Sequence, residues 1–244
     1  MNFLKMYKVE QTQFLRNPDV IIFNLAMPVV ALFLISIIGG NNAAGEMGLT
    51  YISSSFVALT TVGICCSAFM SISISLVEAR DKGILRRMYC SPCSPTRLLA
   101  CDTISSGVMA IISTLILTVC AVVAFGYRMQ GNVLIFIGVW LLTLISMFSI
   151  GLMIASVCRT VKSMNVATSI VYFPMLLFSG ATIPAEVFPE GMRFISDVLP
   201  LGVGINALKK VSIGVYDGLL VPALILAGIA VVCTIISIKT FRWE

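Results

Sequence analysis

The chain has 244 residues, of which 59% are hydrophobic and only 11% charged, with a formal net charge of +5 and a mean hydropathy of +1.04. Globular chains carry about 25% charged residues, so these charges cannot cover a water-facing surface and much of the chain must face lipid. That excludes a soluble enzyme, a nucleic-acid binder and a disordered regulator, and the absence of histidine also removes imidazole metal centres, Ser–His or Cys–His pairs and imidazole proton relays.

In chain order, Asn2–Asn17 sets Phe3, Tyr7 and Phe14 near one helical face, with Lys5, Lys8 and Arg16 elsewhere. This predicts a short helix lying on the inner membrane surface, with an ordinary solvated leader as the alternative. Six windows follow that contain no Asp, Glu, Lys or Arg: Val20–Gly40, Ile52–Val77, Thr103–Phe125, Val133–Val157, Met164–Ile183 and Leu219–Ile238. Each has the roughly 20 residues a helix needs to cross about 30 Å of hydrocarbon. A charge at a helix centre costs about 2.5–3.5 kcal/mol on insertion scales, so windows this clean predict six transmembrane helices. The first is too long for a signal-peptide core and lacks a small-x-small cleavage site, so it is expected to stay as a span. An alternating barrel pattern is missing.

Sorting Lys and Arg between the connections gives Lys5, Lys8, Arg16, Arg80, Lys82, Arg86, Arg87, Arg97, Arg159, Lys162, Lys239 and Arg242 on one side, and Arg128, Arg193, Lys209 and Lys210 on the other. Twelve against four places both termini in the cytoplasm by the positive-inside rule. None of the eight cysteines falls in an outer loop, so no disulfide framework is expected.

The longest inner loop, residues 78–97, carries Ile84, Leu85, Met88 and Tyr89 at helical spacing, with Lys82, Arg86 and Arg87 off that stripe. Pro92 ends this helix, and Ser94 with Pro95 supplies an N-cap and an N1 proline for the third span. Two readings stay open: a basic loop that fixes topology, or a docking helix whose stripe fills a partner's groove while its arginines meet acids. The outer segment 184–218 is too apolar for a free loop and too broken by Pro184, Pro189 and Pro200 to span. Short re-entrant helices dipping into the outer leaflet are favoured over an external cap. Cys158–Ser163 is a tight inner turn between neighbouring spans.

The second span sets Gly63, Ser67, Ser71 and Ser75 four residues apart, a small-residue face that suits either close helix packing or the lining of a substrate cavity. In the fifth, Pro174 is surrounded by Tyr172, Phe173, Met175, Phe178 and Ser179, either an adaptable apolar wall or ordinary packing. No Gly-x-x-x-x-Gly-Lys-Ser/Thr phosphate loop occurs. Cys90-Ser-Pro-Cys93 has the spacing of a thiol pair but no second pair nearby, and bystander thiols are expected. The spans hold no acid for a proton relay and no base for a nucleophile, so an enzyme is not expected and energy should enter from another protein, although sodium coupling through carbonyls stays open.

Three segments resemble the membrane subunits of ABC-2 type transporters. Arg80-Asp-Lys-Gly-Ile-Leu-Arg-Arg-Met88, continuing to Ser91-Pro92 and Ser94-Pro95, is similar to the coupling segment of that family, with Ile84 where threonine is usual. Gly151-Leu-Met-Ile-Ala-Ser156 with Arg159 resembles the ending of its fourth span. Phe178-Ser-Gly-Ala-Thr-Ile-Pro184, then Pro189 and Pro200-Leu201, resembles its outer signature.

The resemblance implies an all-α membrane protein with one transmembrane domain over residues 1–244. Its parts would be an amphipathic connecting helix (1–18), six spans, a coupling helix and re-entrant outer helices. By position, Arg80, Asp81, Lys82, Gly83, Ile84, Leu85, Arg86, Arg87 and Met88 would dock an ATPase. Ser67, Ser71, Ser75, Phe173, Met175, Phe178 and Ser179 would lie along the translocation path, and Gly180, Pro184, Pro189 and Pro200 would form the outer motif. The implied assembly is a pair of membrane subunits, identical or paralogous, in the cell membrane with two ATP-binding subunits. ATP and Mg belong to those partners, and no cofactor or metal is expected in this chain. The rivals are an ATP-independent channel or carrier, and a non-transporting immunity or sensory subunit that only anchors an ATPase.

Overall fold

In hydrocarbon a backbone satisfies its polar groups only within a helix or a closed barrel, and the apolar runs accordingly form helices. The computed structural model describes residues 7–8, 11–12, 21–39, 43–44, 49–83, 95–181 and 190–240. A π-helical turn, Ile22–Ala26, runs into α1 (Met27–Gly39). Two-residue strands β1 (Ala43–Ala44) and β2 (Leu49–Thr50) pair antiparallel, with Ala43 opposite Thr50 and Ala44 opposite Leu49. Then α2 (Tyr51–Cys66), a second π-helical turn (Ser67–Ile72) and α3 (Ser73–Asp81) form one rod. The remaining helices are α4 (Pro95–Phe125), α5 (Val133–Val157), α6 (Val161–Phe178), α7 (Glu190–Val198), α8 (Pro200–Ile213) and α9 (Leu220–Thr240).

Local chemistry sets the ends. Pro95 and Pro200 open α4 and α8, where the missing N–H has no intrahelical acceptor anyway. Asn132 caps α5, its Oδ1 accepting from the Leu134 amide at 2.9 Å. Thr160 and Ser163 exchange side-chain and backbone bonds in a capping box that starts α6.

Among the described residues five helical stretches are long and apolar enough to cross a membrane: Ile52–Asp81, Ala100–Phe125, Val133–Val157, Val161–Phe178 and Leu220–Thr240. The first sequence window contributes a shorter apolar helix, Asn24–Ile37. The second helix runs on to Asp81, past the sequence boundary at Val77, and the third begins at Pro95 rather than Thr103, because helical hydrogen bonding continues where the charged residues begin. The fifth stops at Phe178, short of Ile183, because Gly180 follows at φ 78°, a left-handed conformation that ends helices.

The rod is the axis of the packing. It is 83% buried over its spanning window, against 50% for α5, 28% for α4, 22% for α9 and 17% for α6. α5 lies along it, with α9 on the far side of α5 and α4 and α1 on other faces of the rod. α5 crosses the rod closely at Gly151, where a Cβ would sit 2.6 Å from the Ala68 carbonyl oxygen and 2.7 Å from Ser73 Oγ. α8 is buried between α5, α2 and α9, and α7 packs on α8.

Candidate functional site

The interior of the rod is polar where it meets the first helix. Asn24, in the first π-turn, is fully buried; its Nδ2 donates to Ser71 Oγ at 3.0 Å and its Oδ1 accepts from Ser67 Oγ at 3.2 Å. Ser113 of α4 donates to the Asn24 carbonyl. Both π-helical turns, Ile22–Ala26 and Ser67–Ile72, lie at this contact; such bulges gather at functional places. Thus two of the three rod serines assigned to a translocation path are closed against Asn24, and the third, Ser75, is half-buried further along.

On α6 the aromatic and methionine cluster divides. Met175 is buried, Phe178 half-buried, and Phe173 points away from the bundle, 59% exposed. Ser179 is buried and donates to the Leu176 carbonyl at 3.2 Å. Contact with the rod comes instead through Tyr172, whose hydroxyl lies 3.2 Å from Cys66 Sγ and whose ring meets Phe69 edge-on, 6.4 Å between centroids. The two groups of path residues are therefore not brought onto one open surface within this chain.

At the basic end, α3 stops at Asp81, with the Lys82 amide bonded to the Glu78 carbonyl at 3.0 Å and the Gly83 amide to the Arg80 carbonyl at 2.9 Å. Gly83 has φ 66°, the left-handed conformation that glycine adopts without strain. Asp81 and Lys82 are exposed, and Lys82 pairs with Glu78 one turn back. Arg80 turns the other way: its Nη1 donates to the carbonyls of Cys158 at 2.8 Å and Ala155 at 3.2 Å, at the end of α5. Ile84, Leu85, Arg86, Arg87 and Met88, and Cys90 with Cys93, lie outside the described residues. Of the N-terminal segment, Gln11 reaches α4, its Nε2 donating to the Ser105 carbonyl at 3.3 Å.

At the opposite end of the bundle Gly180 ends α6 and Pro200 opens α8, while Pro184 and Pro189 lie outside the described residues. The connection between α4 and α5 is stitched to α8 and its turn. The amides of Gln130 and Gly131 both bond the Ser212 carbonyl at 3.2 Å, and the Asn132 amide donates to the Tyr216 hydroxyl at 2.8 Å. Burial pushes the Tyr127 phenol above its ordinary range, with the Ser212 hydrogen bond opposing.

Sequence reasoning missed three buried polar residues. Asn24 carries a detectable signal, the only amide in an otherwise apolar first window. Lys209, 2% exposed, follows Ile205 by one helical turn and so belongs to the apolar stripe of α8 rather than to its wet face. Asp102, 4% exposed, falls one residue before the third charge-free window and lies inside α4 because that helix starts earlier.

The profile of the family described as ABC-2 type transporter matches residues 1–212. The chain is 20% identical to YvfS of Bacillus subtilis (strain 168), a protein named as a transport permease, over 202 residues covering 82% of this chain and 81% of that one. It is 23% identical to the inner membrane transport permease YhhJ of Escherichia coli (strain K12) over 127 residues, 52% of this chain and 34% of YhhJ. It is 25% identical to ABC transporter G family member 20 of Dictyostelium discoideum over 166 residues, 65% of this chain and 22% of that protein. The end of the rod at Arg80–Gly83, the Gly151 crossing and the Ser179–Gly180 helix end thus sit on the three segments whose residues carried the likeness, and the chain belongs to the ABC-2 type transporter family of membrane permeases.

Proposed function

We propose that the chain is the membrane half of an ATP-driven exporter that moves a hydrophobic or amphipathic substrate, such as a drug, an antimicrobial peptide or a lipid-like molecule, out of the cytoplasm or inner leaflet. A separately encoded ATP-binding chain, in two copies, supplies the work with its own ATP and Mg. The first apolar helix is the sixth crossing, both termini are cytoplasmic in the cell membrane, and α7 and α8 are the re-entrant pair.

The observation that carries this reading is the continuity of the rod. The most buried helix of the bundle, Ile52–Asp81, emerges at Gly83 into the Ile84–Leu85–Met88 stripe, so force applied to that loop enters the centre of the bundle directly. A second observation supports the paired membrane subunit. α6 is the least apolar of the five long helices and also the least buried, 17%, with Asn165 and Ser169 exposed. Polar groups facing lipid are costly, so this side is covered in the assembly by the second subunit, and Phe173 comes to line the path only there.

The test is gentle extraction of the tagged chain from its own host membrane. An ATP-binding chain should co-elute, and Leu85→Glu should release it while the protein stays inserted. A chain that elutes alone from a membrane containing its neighbours' gene products contradicts the proposal.

A further inference from the structure

Among the described charges at the end of the rod, Arg80 stands apart. Asp81 and Lys82 face solvent and Lys82 is neutralised by Glu78, whereas the Arg80 guanidinium points into the bundle and donates to Ala155 and Cys158. Those carbonyls belong to the last turn and C-cap of α5. The final four carbonyls of a helix have no intrahelical partner and form the negative end of its dipole, so a cation that also donates two hydrogen bonds is doubly suited to them. Both bonds leave one nitrogen, Nη1, whose two N–H directions are fixed in the guanidinium plane, whereas an ammonium is a point charge with rotatable donors on a flexible stem.

The grip reaches further than α5. Cys158 is followed by Arg159 and by Thr160, the cap of α6, so holding the Cys158 carbonyl also holds the start of α6. α3 packs against both helices. The rod and α5 are then joined at two heights, at the Gly151–Ala68 crossing and at Arg80, and two joints prevent the rod from pivoting on α5.

We propose that Arg80 is a positioning residue, not a docking residue: it ties the coupling segment to the inner end of α5, so that α3, α5 and the beginning of α6 are displaced together when the loop is pushed. This rests on the reading that residues 84–88 receive the ATP-binding chain.

The test is hydrogen–deuterium exchange on the full chain in lipid nanodiscs, without and with the co-purified ATP-binding chain. Without it, Arg80→Gln should speed exchange in residues 154–163 by about tenfold, equivalent to ~1.4 kcal/mol of local opening, and leave α9 unchanged. Arg80→Lys should give an intermediate rate, because charge is kept and the fixed direction of the two N–H donors is lost. With the ATP-binding chain present, MgATP and vanadate should alter exchange in both 73–83 and 154–163 of the unmodified chain but only in 73–83 of Arg80→Gln. Unchanged exchange at 154–163 in Arg80→Gln, a nucleotide response that still reaches 154–163, or loss of the ATP-binding chain on Arg80→Gln overturns the tie. An unmodified chain that shows the tie but has no ATP-binding partner overturns the proposed function instead.

Discussion

The central rod and the outer helices α4 and α9 reverse the order that water would impose. The rod is less apolar yet 83% buried; α4 and α9 are more apolar and only 28% and 22% buried. In hydrocarbon, apolar side chains gain nothing by leaving the solvent, so the most apolar helices stay outside, and small and polar residues that allow close approach and interhelical hydrogen bonds collect at the centre. The rod accordingly buries Ser67, Ser71, Ser73, Thr60 and Thr61, while α4 and α9 present Val123, Leu224 and Ile238 outwards. Specificity of this fold therefore resides in the rod, and adaptation to the bilayer in the periphery.

Substitutions that add volume should separate the two regions most clearly. Gly151→Val drives a branched side chain into the Ala68 carbonyl and should cost about 3 kcal/mol, the upper end of overpacking effects, measured as loss of resistance to heat or denaturing detergent. Val232→Leu, which adds volume on an exposed face of α9, should change the same measurement by less than about 0.5 kcal/mol. Equal effects at the two sites would abolish the distinction.

Removal of the buried amide comes next. Asn24→Leu leaves Ser67 and Ser71 without their shared partner and should cost about 1–2 kcal/mol, near the largest interhelical hydrogen-bond energies measured in membranes. Asn24→Leu combined with Ser67→Ala and Ser71→Ala should recover part of that loss, because apolar replacement of all partners leaves no orphan. Gly83→Ala should be smaller, about 1 kcal/mol, and local: exchange should quicken in the last turn of α3 and nowhere else. A spread to α1 would mean that the end of the rod is not an independent stop.

Much of the layout was legible in the sequence because it depends on local chemistry. Freedom from charge marked the long helices and Pro95 marked the start of α4, whereas Pro200 was read only as a break in the outer segment and the end at Phe178 fell short of the expected boundary at Ile183. The direction of Arg80 was not legible: spacing groups it with the other cations of its loop, and only the tertiary approach of α5 supplies carbonyls for it. Asn24 was overlooked for a related reason, since a lone amide in an apolar window acquires meaning only when two serines from another helix face it. Lys209 was counted as an outer-surface charge because the charge sorting ignored helical register. The division of the α6 cluster, with Met175 inwards and Phe173 outwards, depends on how α6 rotates against Tyr172 and the rod, which no local pattern fixes.

The central claim, that an ATP-binding partner grips the inner loop at the end of the rod, can be tested with native thiols. Cys90 and Cys93 lie in that loop, whereas the cysteines among the described residues are buried or half-buried. A membrane-impermeant maleimide should label Cys90 and Cys93 in inside-out vesicles stripped of peripheral proteins, should label them slowly when the ATP-binding chain is bound, and should not reach them in intact cells. Labelling from the outside of intact cells, or labelling indifferent to the bound partner, would contradict the account.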